Sequence, residues 1–209
     1  NMQTSTELIE ILYHATDAQF IVDVVQERLR SEAHKRREYY DLVHENLKAE
    51  FINGEIVFHS PVKKRHWTVS MELSARLHNW AKDRNLGIVG VEKVMVSLTR
   101  NDYEPDICFF SKERSEQFDA EQMKFPAPDF VVEILSPSTE KNDRTVKFLD
   151  YALHGVREYW IVDPEKHTVE QYVLHHGEFD LRQKLTEKGV CESIVVDGFS
   201  VEVEQLFHE

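Results

Sequence analysis

The sequence predicts an α/β domain with a mixed sheet, and three observations carry that reading. The first is the stretch from Pro128 to Pro164. Phe130 to Leu135 is apolar and rich in β-branched residues, broken only by Glu133, as expected of a strand buried on both faces. Ser136-Pro137-Ser138-Thr139 ends the run and offers N-cap oxygens to a helix. In that helix Val146, Leu149 and Leu153 recur at helical spacing before Gly155. Glu158 to Val162 is a second strand-like run, closed by Asp163-Pro164, so the unit reads β-α-β with parallel strands. The second observation is a helical pattern from about Arg65 to Asp83, with Val69, Leu73, Leu77 and Trp80 on one side. Strand-like runs follow at Val89 to Leu98 and Ile107 to Phe110. The third is Asn53-Gly54 between apolar residues, the strongest short hairpin signal. From Arg65 to Val162 the order is therefore α-β-β-β-α-β.

The first 45 or so residues read as helical. Leu8, Ile11 and Leu12 form a short apolar face, and Phe20, Ile21, Val24 and Val25 form another after a plausible N-cap at Asp17. Gln26 to Glu38 is polar and contains Lys35-Arg36-Arg37. Glu27, Glu32, Glu38 and Asp41 surround that triplet, so it reads as a solvated face rather than a nucleic-acid contact. Tyr39, Tyr40, Leu42, Val43 and Leu47 resume the apolar pattern. Ser60-Pro61 closes the hairpin, Thr99 to Asp102 supplies a turn, and Ser111 to Lys124 suits a short helix or loop. Val169 to Leu174 and Phe179 to Leu181 flank His175-His176-Gly177-Glu178 as a hairpin. Ser193 to Val196 and the tail from Phe199 add edge structure. With no internal repeat and no low-complexity linker, the organisation is a helical extension over 1–48 and one domain over 49–209.

A chain of 209 residues, 41% hydrophobic and 30% charged, is ordinary for a globular protein with a sizeable core. No window approaches the roughly 18 uninterrupted apolar residues of a membrane helix, and the N-terminus lacks the pattern of a signal peptide. Cys108 and Cys191 are too few and too isolated for a disulfide framework or a zinc site, and suit a reducing cytosol. The net charge of −13 opposes loose binding to nucleic acid. Any such contact needs a local basic patch or cations bridging carboxylates and phosphates. Lys63-Lys64-Arg65 is the nearest such patch.

Three positions inside the core pattern carry chemistry. Asp106 heads a strand after Pro105, Glu133 interrupts the next strand, and Lys147 lies on the following helix four residues after Asp143. A carboxylate in a buried strand is costly unless it is paired or bound to a metal. Two carboxylates on adjacent strands can hold a hard divalent cation, with the Ile134 backbone carbonyl as a further oxygen. A nearby lysine can orient or help deprotonate the attacking water, while the cation neutralises charge developing on a phosphate. Glu133 paired with Lys147 as scaffold is the alternative. Asp143 and Lys147 also suit a surface i,i+4 bridge, Tyr151 suits packing, and His66 suits either a phosphate contact or a half-exposed cap. Ser136 and Ser138 have no histidine in a nucleophile-elbow context.

These residues resemble the Uma2 family of the PD-(D/E)xK restriction-endonuclease-like superfamily. The resemblance rests on Phe51 to Glu55, His66, Pro105-Asp106, Pro128 to Ser138, Asp143, Lys147, Tyr151, Gly155-Val156 and Glu158 to Asp163, and covers roughly residue 50 onward. It implies a restriction-endonuclease-like core and phosphodiester hydrolysis with Mg²⁺ or Mn²⁺. Two departures stand out. The superfamily lysine normally follows the acid by two residues, where this chain has Leu135, so the role falls to Lys147. Asn53 stands where the family hairpin usually has Asp.

The expectation is a metal-dependent nuclease acting on DNA in the cytoplasm. Asp106 and Glu133 would bind metal, Lys147 would position water, and the N-terminal helices would sit in a homodimer interface. The rival is a non-catalytic dimeric interaction protein that keeps the fold. Lys63, Lys64, Arg65 and Lys147 lining one cleft with the two acids would favour the nuclease.

Overall fold

The computed structural model describes residues 5–43 and 48–207. Leu47, part of the expected N-terminal apolar pattern, lies outside them. Two helices open the chain, α1 (Ser5–His14) and α2 (Ala18–Leu42). The hairpin β1 (Ala49–Ile52) and β2 (Glu55–Phe58) follows, then the long helix α3 (Lys64–Asp83). Next come β3 (Gly87–Val91), β4 (Met95–Ser97), β5 (Asp102–Tyr103), β6 (Ile107–Ser111), α4 (Lys112–Ser115), β7 (Lys124–Phe125) and β8 (Phe130–Ile134). The chain continues with α5 (Glu140–Arg144), α6 (Val146–Leu153), β9 (Glu158–Asp163), β10 (Thr168–His175), β11 (Glu178–Thr186), β12 (Val190–Glu192) and β13 (Ser200–Glu202).

Six strands form the main sheet in the order β11-β10-β9-β8-β6-β3. β8 and β9 are parallel, joined by the crossover through α5 and α6, and the other pairs are antiparallel. The α3-β3-β6-β8-α5/α6-β9 path reproduces the expected α-β-β-β-α-β order. Alternation along β8 divides the core. Phe130, Val132 and Ile134 join Val69, Leu73 and Leu77 of α3 on one face. Val131 and Leu135 join Tyr151 and Ala152 of α6 on the other. Glu133 shares the α6 side by the same parity.

The hairpin is as expected. Ile52 pairs with Glu55 across a two-residue turn, with Asn53 and Gly54 at φ +50° and +83°. That backbone suits Asn and Gly, the two residue types that enter the left-handed region most readily.

Several expectations are corrected. The run Val89 to Leu98 is not one strand. Glu92, at φ +54°, turns the chain, so β3 stays on the main sheet while β4 enters a second sheet ordered β2-β1-β5-β4-β7. The crossover helix breaks at Thr145, and no side chain caps α5. Its buried face is Asp143, Lys147 and Tyr151, whereas Leu149 and Leu153 are 45% and 78% exposed. Ser193 to Val196 is a bend rather than edge structure, and its Ile194 and Val195 N–H groups donate to the buried Glu158 carboxylate.

The basic triplet of α2 is not wholly solvated. Arg36 turns inward and donates from Nε and Nη2 to the two carboxylate oxygens of Asp102, at 2.6 and 2.8 Å. It also donates to the carbonyls of Leu98, Thr99 and Asn101. Asp102 is fully buried in β5, and a bidentate guanidinium supplies the charge and geometry that its burial requires. Tyr39 packs beside Phe51 and donates to the Ala49 carbonyl. The C-terminal half of α2 is thereby docked on the second sheet. In contrast, α1 buries no residue, and Leu8, Ile9, Ile11, Tyr13 and Phe20 are exposed.

Candidate active site

Register brings the two expected acids together. Ile107 of β6 pairs with Val132 of β8, so one step further Asp106 stands opposite Glu133. The Asp106 N–H points to Glu133 Oε2 at 3.4 Å, and the Ile134 N–H donates to Asp106 Oδ2 at 2.8 Å. Both acids line a cleft of about 770 Å³. Their carboxylates face that cleft together, not opposite sides of the sheet.

Lys147 occupies the floor. Its Nζ lies 2.9 Å from Glu50 Oε1, 3.1 Å from Glu133 Oε1 and 3.3 Å from Asp143 Oδ1. These carboxylates come from β1, β8 and α5, and all four side chains are at least 97% buried. The Asp143–Lys147 pair is therefore an interior contact, not a surface bridge. Tyr151 is also fully buried and donates its hydroxyl to Glu133 Oε1 at 3.1 Å, so it both packs and holds the acid.

One ammonium cannot balance three buried carboxylates. Burial lowers the Lys147 pKa, but Glu133, Glu50 and Asp143 more than reverse this and hold it well above its usual value. Lys147 is thus a fixed cation and no proton acceptor. Burial raises Glu50, yet Lys147, His59 and the Glu104 N–H pull it down to about 2. Burial raises Glu133 well above the usual carboxylate range. Lys147 opposes that rise, and Asp143, Asp106 and Glu50 add to it. Burial raises Asp143 as well, against Lys147 and the Thr139 hydroxyl.

His66, in the first turn of α3, is buried rather than half-exposed, with Nε2 3.4 Å from Asp106 Oδ2. Burial lowers its pKa, but the Asp106 carboxylate more than offsets this and leaves it raised. Asp106 is in turn held below its usual value, because His66, Lys48 and the Ile134 N–H together outweigh burial.

The cleft also contains residues that sequence reasoning missed. Glu50 carries the same signal as Glu133, a carboxylate between apolar neighbours in a strand. Glu104 precedes Pro105-Asp106, is 5% exposed and lines the cleft, and its Oε2 has no hydrogen-bond partner. Burial and the Glu50 charge push it up to about 7, against Lys48, His59 and Lys93. His59 lies 3.0 Å from Glu50 Oε2, and Lys48 is 3.8 Å from Asp106 Oδ1. Lys48 and Lys93 reach the cleft from two separate loop positions, before β1 and between β3 and β4, and no local pattern marks them.

The expected basic patch divides. Lys63 lines the cleft with the two acids, as does Lys147. Lys64 and Arg65 instead turn to an adjoining pocket, because successive residues of a helix's first turn point in different directions.

Among the described residues, no group of three or more His, Cys, Asp or Glu side chains is arranged to hold a metal ion. The donor set still fits a small hard cation. Mg²⁺ is commonly held by one or two carboxylates, with waters and substrate phosphate completing its shell. Asp106 and Glu133 supply the two, and Glu104, whose Oε2 has no hydrogen-bond partner, lines the same cleft.

Residues 36–204 match the Uma2 family, described as "Putative restriction endonuclease". The chain belongs to the Uma2 family. The match begins at Arg36, within the docked half of α2. Among solved structures, the chain is similar to a "putative nuclease belonging to DUF820 from Anabaena variabilis ATCC 29413". That similarity has a TM-score of 0.69 and 20% identity, and covers 82% of this chain and 96% of the other. No curated protein gives a significant match. The fold is thus that of the nuclease-like neighbour, and the family supports a nuclease function in general. No described helix is long and apolar enough to cross a membrane.

Two predictions follow from the charge balance. In metal-free buffer, Glu133→Gln should leave the melting temperature unchanged or higher, because it removes one of three acids competing for one lysine. Lys147→Met should destabilise by at least about 3 kcal/mol, since it strands buried carboxylates. Thermal and urea unfolding test both, and a large loss in Glu133→Gln with little in Lys147→Met would overturn the assignment of surplus negative charge. The second concerns Glu104, whose folded pKa of about 7 lies above its ordinary 4.5. The folded state then holds the proton more tightly, so this group's contribution to stability is lost as pH rises from about 4.5 to about 7. Glu104→Gln should gain stability over wild type progressively across that window. Parallel stability–pH curves would contradict the assigned environment.

Proposed function

We propose that the protein is a divalent-cation-dependent nuclease acting on DNA in the cytoplasm. The observation that carries this reading is the facing pair Asp106 and Glu133 in a cleft that also presents Lys48, Lys63 and Lys93. In a chain of net charge −13, cations gathered around two acids give a phosphodiester a local approach that the remaining surface opposes. Asp106 and Glu133, with the Ile134 carbonyl, would hold Mg²⁺ or Mn²⁺. When bound, the ion supplies Lewis acidity and lowers the pKa of water.

The chain's own residues do the rest. Lys147, permanently charged, fixes the Glu133 carboxylate together with the Tyr151 hydroxyl and offers positive charge near the attacking water. His66 holds Asp106 Oδ2 from the other side, so the acid's orientation is set before substrate arrives. Lys48 and Lys63 receive phosphate oxygens at the cleft mouth. Asp106→Asn should reduce Mn²⁺-dependent cleavage of a DNA substrate by at least about 100-fold, the scale of one lost electrostatic stabiliser, while the fold persists by circular dichroism. Undiminished cleavage in that variant would refute the site.

We also assign the exposed apolar face of α1 and the N-terminal half of α2 to a second copy of the chain. Sedimentation should show a dimer that a chain lacking residues 1–30 cannot form. That deletion spares Arg36 and Tyr39, which dock α2. A monomer at micromolar concentration with and without these residues would exclude the dimer.

A further inference from the structure

A second depression of about 600 Å³ adjoins the cleft across the first turn of α3. Lys63 lines both. Lys64 and Arg65 turn to the second pocket, whose apolar lining includes Val69, Pro164 and Phe207. Neither Lys63 nor Lys64 makes an ion pair among the described residues, whereas Arg65 lies 3.1 Å from Glu165 at the pocket's exposed rim.

One wall is aromatic. The turn after β9 is pinned by the Asp163 carboxylate, which accepts the Glu165 and Lys166 N–H groups at 2.9 and 3.0 Å. His167 follows at φ +51°, and its carbonyl accepts the Glu187 N–H at 2.8 Å. A histidine held in the left-handed region costs backbone energy, so its placement has to be over-determined by its surroundings. Its ring stacks on Phe207 with centroids 4.9 Å apart and planes 10° from parallel, and Phe207 packs against the core.

A phosphate site alone would need the lysines and no aromatic wall. An apolar ligand alone would need the wall and no lysines. A nucleotide has both parts, a charged backbone and a π-face. We propose that this pocket holds the nucleotide flanking the scissile phosphate of a single-stranded substrate. Its base would lie against the His167–Phe207 pair and its backbone would cross Lys63 and Lys64. Base–aromatic stacking beside a positive groove is how single strands are bound without sequence preference. Glu165 faces the rim as the one acid of the lining, and its pairing with Arg65 limits its repulsion of the backbone. This inference rests on the nuclease reading for its substrate class, though not on catalysis.

The test uses the full chain in metal-free buffer with a short single-stranded oligonucleotide carrying one 2-aminopurine, whose fluorescence reports stacking. Wild type should bind it and change its emission. His167→Asn removes the ring while tolerating the left-handed backbone. It should weaken binding about tenfold, the scale of one base–aromatic stack, and abolish the emission change. Lys64→Glu should weaken binding and make it less salt-dependent. Equal affinity and emission in His167→Asn, or equally tight binding of a duplex of the same sequence, would overturn the proposal. Adding Mn²⁺ separates the two readings. Cleavage without any dependence on His167 would sink the pocket alone, and stacking without cleavage would sink the nuclease alone.

Discussion

Lys147 draws Glu50, Glu133 and Asp143 onto one ammonium, and much of the molecule is arranged so that this can happen. A buried ammonium is strongly disfavoured unless carboxylates meet it at hydrogen-bond distance. The three that do so come from the first hairpin, the central strand and the crossover helix. Their convergence ties the second sheet, through Glu50 of β1, to the main one. It also leaves one ammonium facing three carboxylates, and Asp106 and Glu104 line the adjoining cleft.

The second constraint is register. Asp106 and Glu133 face each other only because Ile107 pairs with Val132. A one-residue slip would turn Glu133 into the apolar face built by Val69, Leu73 and Trp160. β8 is buried on both faces, so a slip would drive the Glu133 carboxylate into an apolar core, and packing on both sides of the sheet holds the two acids opposite each other. Asp143 and Lys147, four residues apart, still meet across the helix break at Thr145.

Much of this was legible in the chain. Glu133 announced itself by interrupting an apolar strand; helical spacing placed α3, apolar runs placed β6, β8 and β9, and Asn53-Gly54 placed the hairpin. The acids could be paired because adjacent strands bring residues 27 apart into register, as the Asp106 N–H to Glu133 contact shows. Glu50 carried the same mark as Glu133 but lies just before the Phe51–Val57 hairpin pattern, outside the apolar run that made Glu133 conspicuous. What was not legible depends on tertiary crossing. Arg36 read as solvated because its partner Asp102 is 66 residues away. Lys48 and Lys93 reach the cleft from segments with no local pattern that marks a site. Leu149 and Leu153 kept helical spacing, yet the buried face is Asp143, Lys147 and Tyr151, whose partners Glu50 and Glu133 lie on other strands.

The central claim is that Asp106 and Glu133 form a cation site completed, rather than displaced, by Lys147. Anomalous diffraction from crystals soaked in Mn²⁺ tests it most directly. The account predicts a single strong peak between the Asp106 and Glu133 carboxylates, with Lys147 still bonded to Glu133. No peak in the cleft at millimolar Mn²⁺, with Lys147 the sole cation on Glu133, would mean that the acids are scaffold.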